Sequence, residues 1–257
     1  MNIVVCMKQT FDSEARIRLS DGGNIDDSSV LFIVNPYDEY ALEEAIRLKE
    51  KNGGEVTVVT IGGQTATKAL QHCLAMGADH AILVNDPHLR AADGHTYALV
   101  LSHVIKSMAY DLIMCGRESI DAGDCQVHTR LAVLLDLPQV NVVSALSIED
   151  GKAEAKRDID GGTEIIEVDL PAIFSAQKGL NEVRYPPMRR IRLAKKMAIK
   201  TVCVADLGLS EEDISPFSII EDFTFPKQRQ PGRLLTGDIS EMVSETISYL
   251  REDVKVI

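Results

Sequence analysis

Short, nearly continuous apolar runs recur at Ile3 to Met7, Val56 to Ile61, Ala81 to Val84, Asp111 to Cys115 and Pro171 to Ala176. Runs of this length without polar alternation predict strands covered on both faces, as in a parallel sheet between two layers of helix. The intervening stretches carry helical spacing. From Tyr37 to Glu50, apolar Tyr37, Ala41, Leu42, Ala45 and Leu48 fall on one face, Pro36 sits at the first-turn position, and Gly53-Gly54 ends the element. Acids early and bases late in this segment suit the helix dipole. Thr65 to Met76, Gly94 to Met108 and Cys125 to Leu135 repeat the arrangement. Strand and helix in alternation predict an α/β fold with a doubly wound, mostly parallel sheet.

The pattern changes after about residue 140. Ala145 to Ala155 and Gly162 to Asp169 alternate polar and apolar positions around turn residues, which predicts a small antiparallel hairpin or meander. Lys178 to Lys200 is basic and interrupted by proline, and Ser215 to Gly237 is rich in loop formers, including Pro216, Pro226, Pro231 and Gly232. The stretch from Lys178 to Gly237 has little periodic core, so it is expected to order by wrapping a partner. Asp238 to Leu250 predicts a short amphipathic helix with Asp238 as N-cap and Glu241 completing a capping box. The expected organisation is an α/β domain over residues 1–200 and a C-terminal arm and helix over 201–257.

Charge narrows the function classes. Of the 257 residues, 27 are Lys or Arg and 39 are Asp or Glu, a formal charge of -12. That sign disfavours a surface built to neutralise nucleic-acid phosphates. No apolar run approaches the ~20 residues of a membrane helix, and the first residues lack the basic region and cleavage site of a signal peptide, so a cytoplasmic protein is expected. Five widely spaced cysteines, Cys6, Cys73, Cys115, Cys125 and Cys203, form no Cys-x-x-Cys or Cys/His cluster at metal-ligand spacing. Aromatic residues make up only 5%, which argues against base-stacking platforms.

An open parallel sheet binds ligands beyond the carboxyl ends of its strands, which directs attention to Met7 to Thr10, Ile61 to Gln64 and Gly116 to Val127. No Gly-x-Gly-x-x-Gly and no Walker A motif occurs in them. The third loop is the richest: it follows a buried strand and opens a helix, and its amides together with Ser119, Gly123 and Gln126 suit a phosphate. Asp121 and Asp124 repel bare phosphate and fit capping or ribose hydrogen bonds better. The competing reading is a capped helix start with no ligand. Asn35-Pro36 has the same ambiguity, since Asn is a favoured cap and Pro a favoured first-turn residue whatever the function. The six histidines, His72, His80, His88, His95, His103 and His128, form no triad or metal motif and read as surface or satisfied side chains.

Over essentially its whole length the chain resembles the beta subunit of electron transfer flavoprotein. The residues that carry the resemblance are Val4-Val5-Cys6-Met7-Lys8-Gln9, Asn35-Pro36-Tyr37-Asp38-Glu39-Tyr40-Ala41-Leu42-Glu43, Ala75-Met76-Gly77-Ala78-Asp79, Cys115-Gly116-Arg117-Glu118-Ser119-Ile120-Asp121 and Leu137-Pro138-Gln139. The family signature region appears as Ala155 to Glu164 followed by Leu170-Pro171-Ala172-Ile173. Phe174 and Ser175 depart slightly from it, and His128 stands where relatives usually carry Gly.

The resemblance implies a heterodimer with an alpha subunit that carries its own FAD, while this chain binds an adenine nucleotide. In the electron-bifurcating branch that nucleotide is the adenosine end of a second FAD, which accepts electrons from NADH and divides them between ferredoxin or flavodoxin and a flavin-dependent dehydrogenase, acyl-CoA dehydrogenase-like or other. In the other branch it is AMP. Cys115-Gly116-Arg117 and Tyr37-Asp38 resemble the bifurcating branch. Carried over residue by residue, the cofactor site comprises Cys6, Asn35, Pro36, Tyr37, Asp38, Ile61, Cys115, Gly116, Arg117, Ser119, Ile120, Asp121, Ala122, Gly123, Asp124, Cys125, Gln126 and Val127. No side chain is implied as acid, base or nucleophile. Asn181 to Lys196 resembles the family's recognition loop, with Met188 as apolar anchor and Arg189 and Arg190 beside it. A reading from another class, an adenine-nucleotide-sensing module without redox work, leaves the basic stretch and terminal helix unexplained.

Overall fold

The computed structural model describes every residue except Asp21, Ser29 and Gln230. Strand β1 (Asn2–Cys6) is followed by four short strands, β2 (Gln9–Phe11), β3 (Arg18–Leu19), β4 (Ile25–Asp26) and β5 (Phe32–Val34). These pair as two antiparallel ribbons, β2 with β5 and β3 with β4. Then α1 (Pro36–Asn52), β6 (Glu55–Ile61), α2 (Thr67–Met76), β7 (His80–Val84), α3 (Gly94–Lys106), β8 (Leu112–Gly116) and α4 (Val127–Leu135) alternate as the periodicity predicts. A meander of β9 (Gln139–Glu149), β10 (Lys152–Ile159) and β11 (Gly162–Asp169) leads to β12 (Ala172–Ala176), the short helix α5 (Met188–Ala194) and β13 (Lys200–Val202).

One nine-stranded sheet runs in the order β11-β10-β9-β12-β8-β1-β6-β7-β13. The strands from β12 to β13 pair in parallel, β9 also runs parallel to β12, and β10 pairs antiparallel with both β9 and β11. Side-chain alternation along each central strand feeds two cores. Ile3, Val5, Leu112, Met114 and Phe174 pack with Leu42, Ile46, Leu70 and Leu74 from α1 and α2. Val4, Ile113 and Ile173 pack with Val104, Ile105, Leu131 and Ala132 from α3 and α4. Burial on both sides is why these strands read as unbroken apolar runs. From β1 the chain proceeds to β6 and β7, then returns to place β8 on the opposite flank of β1. The winding therefore reverses at β1 and β8, and a crevice opens at their carboxyl ends.

The boundary expected at residue 200 is corrected by the contacts. The chain divides into Met1–Asp222 and Phe223–Ile257. Lys200–Val202 pairs with β7, and Val204, Leu209 and Ile214 are buried in the α3/α4 core. Asp86 accepts from Val204 N at 3.1 Å, and Asp93 accepts from Phe217 N at 2.9 Å and Ser218 N at 3.1 Å. Residues 178–222 are thus part of the sheet domain rather than an arm without a core. Gln230, inside the expected loop-rich stretch, lies outside the described residues.

In the second unit, helix α6 (Ile239–Ser248) begins where expected. The Asp238 carboxylate accepts from Ser240 N at 2.8 Å and Glu241 N at 3.1 Å. Ile239, Val243 and Ile247, spaced by four, are all exposed on one face of it.

Candidate functional site

The crevice at the reversal of winding is built by the end of β1, the end of β8, the start of α1 and the loop from Arg117 to Gln126. Asn35 precedes α1 but its side chain does not cap it. Fully buried, its amide donates to the Glu118 carbonyl at 2.8 Å and accepts from Ile120 N at 3.1 Å. Three residues on, Asp38 lies 6% exposed and commits both carboxylate oxygens. Oδ2 accepts from Lys8 N at 2.7 Å, and Oδ1 accepts from Gly116 N at 3.0 Å. The first turn of α1 therefore ties together the strand ends and the loop, using residue types that also favour a helix start for reasons of propensity alone.

Gly116 is required by this closeness. A Cβ there would stand 2.2 Å from Asp38 Oδ1 and 2.8 Å from the Tyr37 side chain. The loop turns on Ser119, whose carbonyl accepts from Ala122 N at 3.3 Å and Gly123 N at 2.8 Å. Lys8, which the sequence reading leaves outside the site, reaches across from β1. Its ammonium lies 2.8 Å from Asp121 and 3.4 Å from Ser119 Oγ, and 6.0 Å from the centre of the Tyr97 ring. The available signal was its position directly beyond a strand's carboxyl end. At the rim, the Arg117 guanidinium lies 5.7 Å from the Tyr37 ring centroid and 3.5 Å from Gln177.

Among the other expected residues, Cys6 and Cys115 are buried cross-strand partners on β1 and β8, and Ile61 ends the neighbouring β6. Pro36 opens α1. Asp124 accepts from Gln126 Nε2 at 2.9 Å, and exposed Cys125 donates to Glu118 at 3.0 Å, so these three pair within the loop. Cys125 takes a left-handed backbone, φ 52°. Val127 starts α4, whose preceding residue Gln126 makes no side-chain cap.

Burial dominates the electrostatics. It raises the Asp38 pKa to about 7, against the opposing pull of its amide donors. Burial likewise raises Tyr97, helped by Asp121 and Asp124, and holds His128, in the first turn of α4, below its usual value. His128 is 6% exposed and so is not one of the surface histidines.

These residues fit an adenine nucleotide on three observations. The first-turn amides of α4 lack a side-chain cap, which leaves donors for a phosphate and the positive end of the helix dipole. Asp93 and Asp238 cap α3 and α6, whereas α1, α2 and α5 begin without a side-chain cap, as α4 does. The Asp121 carboxylate beside Lys8, and Asp124 beside Gln126, suit sugar hydroxyls. Finally, the absent side chain at Gly116 brings the loop's backbone close to the α1 start. The side-chain cap expected of a capped helix start is absent at Gln126.

Met188, Arg189 and Arg190 lie away from this loop, on α5, which packs on α2. Arg190 donates to the Leu74 carbonyl at 3.4 Å, and Met188 is 66% exposed.

Comparison with known proteins agrees with the fold. The sequence model of the electron transfer flavoprotein domain matches residues 23–207. An electron transfer flavoprotein subunit beta of Bacillus subtilis is 46% identical over 259 residues, covering 100% of both chains. One from Syntrophomonas wolfei is 40% identical, covering 100% of this chain and 98% of its own. The caffeyl-CoA reductase-Etf complex subunit CarD of Acetobacterium woodii is 36% identical, covering 98% of each. With the motifs at Asn35 and Gly116 now placed at the sheet's point of reversal, the chain belongs to the electron transfer flavoprotein beta-subunit family.

Proposed function

We propose that this chain, with an alpha subunit, forms a cytoplasmic electron-bifurcating flavoprotein, and that the crevice holds the adenosine end of an FAD. The complex takes electrons from NADH and divides them between ferredoxin or flavodoxin and a flavin-dependent dehydrogenase of acyl-CoA dehydrogenase type. The observation that carries this reading is the rim of the crevice. Arg117, 5.7 Å over the Tyr37 ring and 3.3 Å from Glu118, places a cation and an aromatic face beside the Gly116 loop, groups that favour an anionic, aromatic ligand. The relative named as part of a caffeyl-CoA reductase-Etf complex supports a partner that acts on CoA esters.

When bound, the flavin supplies the hydride and one-electron chemistry. The chain would bind and orient it: uncapped amides of α4 would hold phosphate, Asp121 would take the sugar, Gln126 would have to give up its bonds to Asp124 and Arg130 to reach the phosphate, and backbone at Cys6 and Ile61 would read the base edge. Asn35 and Asp38 do not reach the ligand in this arrangement, because their polar atoms are committed to protein. They fix the walls.

A second reading, AMP in the same crevice of a simple electron shuttle, is favoured by one feature. Asp121 is already paired with Lys8, and a single uncapped helix turn suffices for one phosphate. The test is cofactor stoichiometry of the heterodimer purified without oxygen. Two FAD and no AMP are expected, with NADH-driven ferredoxin reduction in the presence of the dehydrogenase; one FAD with one AMP replaces this reading with the second.

A further inference from the structure

The segment leading into α5 is held at both ends by different helices. On the α1 side, the Arg184 guanidinium donates to Glu43 at 2.9 Å and to the two oxygens of Glu50 at 2.6 and 2.9 Å. Its backbone N–H also donates to Glu43, at 3.2 Å. Arg47 donates to the Glu182 carbonyl at 2.8 Å, and Asn181 donates to the Tyr40 carbonyl at 3.0 Å and to Glu44 at 2.9 Å. The Glu43 side chain is only 1% exposed, so its charge depends on the two arginines that reach it. Bonding to Glu50 and Glu43 raises the Arg184 pKa and keeps the fork charged. On the α2 side, Ala194 is buried in the core and Arg190 reaches the Leu74 carbonyl.

Between these anchors run Tyr185, Pro186, Pro187 and Met188. Two prolines fix two backbone angles of the span, and Pro187 is extended at φ -69°. Tyr185 is 97% exposed and Met188 66%. An apolar, aromatic span this exposed, yet tied at both ends by a partly buried ion pair and a buried alanine, has little conformational freedom to lose on binding.

We propose that Arg184 is a positioning residue that pre-organises the Tyr185–Met188 span for docking, and that Tyr185 is a second apolar anchor beside Met188. The inference rests on the partner class given under the proposed function. The occupant is the dehydrogenase surface, an apolar pocket rimmed by acidic side chains, because Arg189, Arg192, Lys195 and Lys196 follow the span in a chain whose formal charge is -12. Losing the fork frees the span without touching the flavin, so the cost falls on encounter and not on the electron-transfer step.

The test uses the heterodimer with its flavin and an acyl-CoA dehydrogenase as probe, with the heterodimer as varied substrate. Arg184→Ala and Tyr185→Ala are each expected to raise KM about tenfold, with kcat and flavin content unchanged. Glu50→Gln, at an exposed site, is expected to give a smaller rise alone and none in the Arg184→Ala background, since both act through one fork. Amide exchange over residues 182–185 is expected to quicken in Arg184→Ala. An unchanged KM, a fall in kcat alone, or additive effects of Glu50→Gln and Arg184→Ala overturn the inference. If Arg184→Ala does not fold, an unchanged KM in both Glu50→Gln and Tyr185→Ala does so. Absence of electron transfer in the unaltered heterodimer overturns the partner reading and this inference together; transfer with unaffected variants overturns this inference alone.

Discussion

Asp38 illustrates how a single side chain sets local geometry at a thermodynamic cost. Its carboxyl is raised from the ordinary 3.8 to about 7 because burial outweighs its two amide donors. The folded chain therefore keeps a proton that the unfolded chain releases above about pH 4, and stability falls as pH climbs from about 4 to 7, then levels. Asp38→Asn removes that dependence: urea unfolding of the two proteins is expected to show the variant gaining on the parent between pH 4 and pH 8 by on the order of 4 kcal/mol. A pH-independent difference between them argues that the carboxyl titrates normally. Gly116→Ala tests the same contact sterically. The added Cβ meets Asp38 and Tyr37 backbone and side chain at 2.2 to 2.8 Å, so a loss of about 3 kcal/mol and of bound nucleotide is expected by thermal melts and cofactor analysis. At this scale the sequence was ambiguous in an instructive way. Asn35 and Asp38 have the identities a helix start favours, and only the fold reveals that their polar atoms point at the neighbouring strand and loop. Lys8 was marked only by its place beyond a strand's carboxyl end, since its partner Asp121 is 113 residues away.

Elements with their own periodicity were legible to within a few residues. Every apolar run became a central strand, and α1 to α4 followed the helical spacing, because a strand buried on both faces and a helix buried on one write their surroundings into their composition. The meander was legible for the complementary reason, alternation. What escaped were pieces too short to have a period. β13 contributes three residues to the sheet edge, and the ribbons of β2 to β5 have two or three each. Their pairing is decided by β7 and by each other, not by local preference. The basic, proline-broken composition of the stretch around β13 pointed away from a core, although Val204, Leu209 and Ile214 supply one. A chain ending at Asp222 is therefore expected to unfold as cooperatively as the full one. A chain ending at residue 199 is expected to lose about 5 kcal/mol or more by urea titration, from the burial of those three side chains alone. Equal stability of the two truncations refutes the placement of β13.

At the scale of the whole molecule, one helix is common to both working surfaces. The first turn of α1 shapes the crevice through Asn35 and Asp38, and its later turns carry Glu43, Glu44 and Glu50 beneath the docking span. Over seventeen residues, about 25 Å, it is long enough to serve two regions and too well packed on β1 and β8 to serve them independently. Retargeting such a protein to a new dehydrogenase by exchanging the loop alone would strand the incoming segment on the wrong acids. The transplantable module is instead a discontinuous pair, the segment from Asn181 to Ala194 together with Glu43, Glu44 and Glu50 of α1, while the opening turn of that helix must stay with its host. Modularity in this fold follows faces of helices rather than stretches of chain.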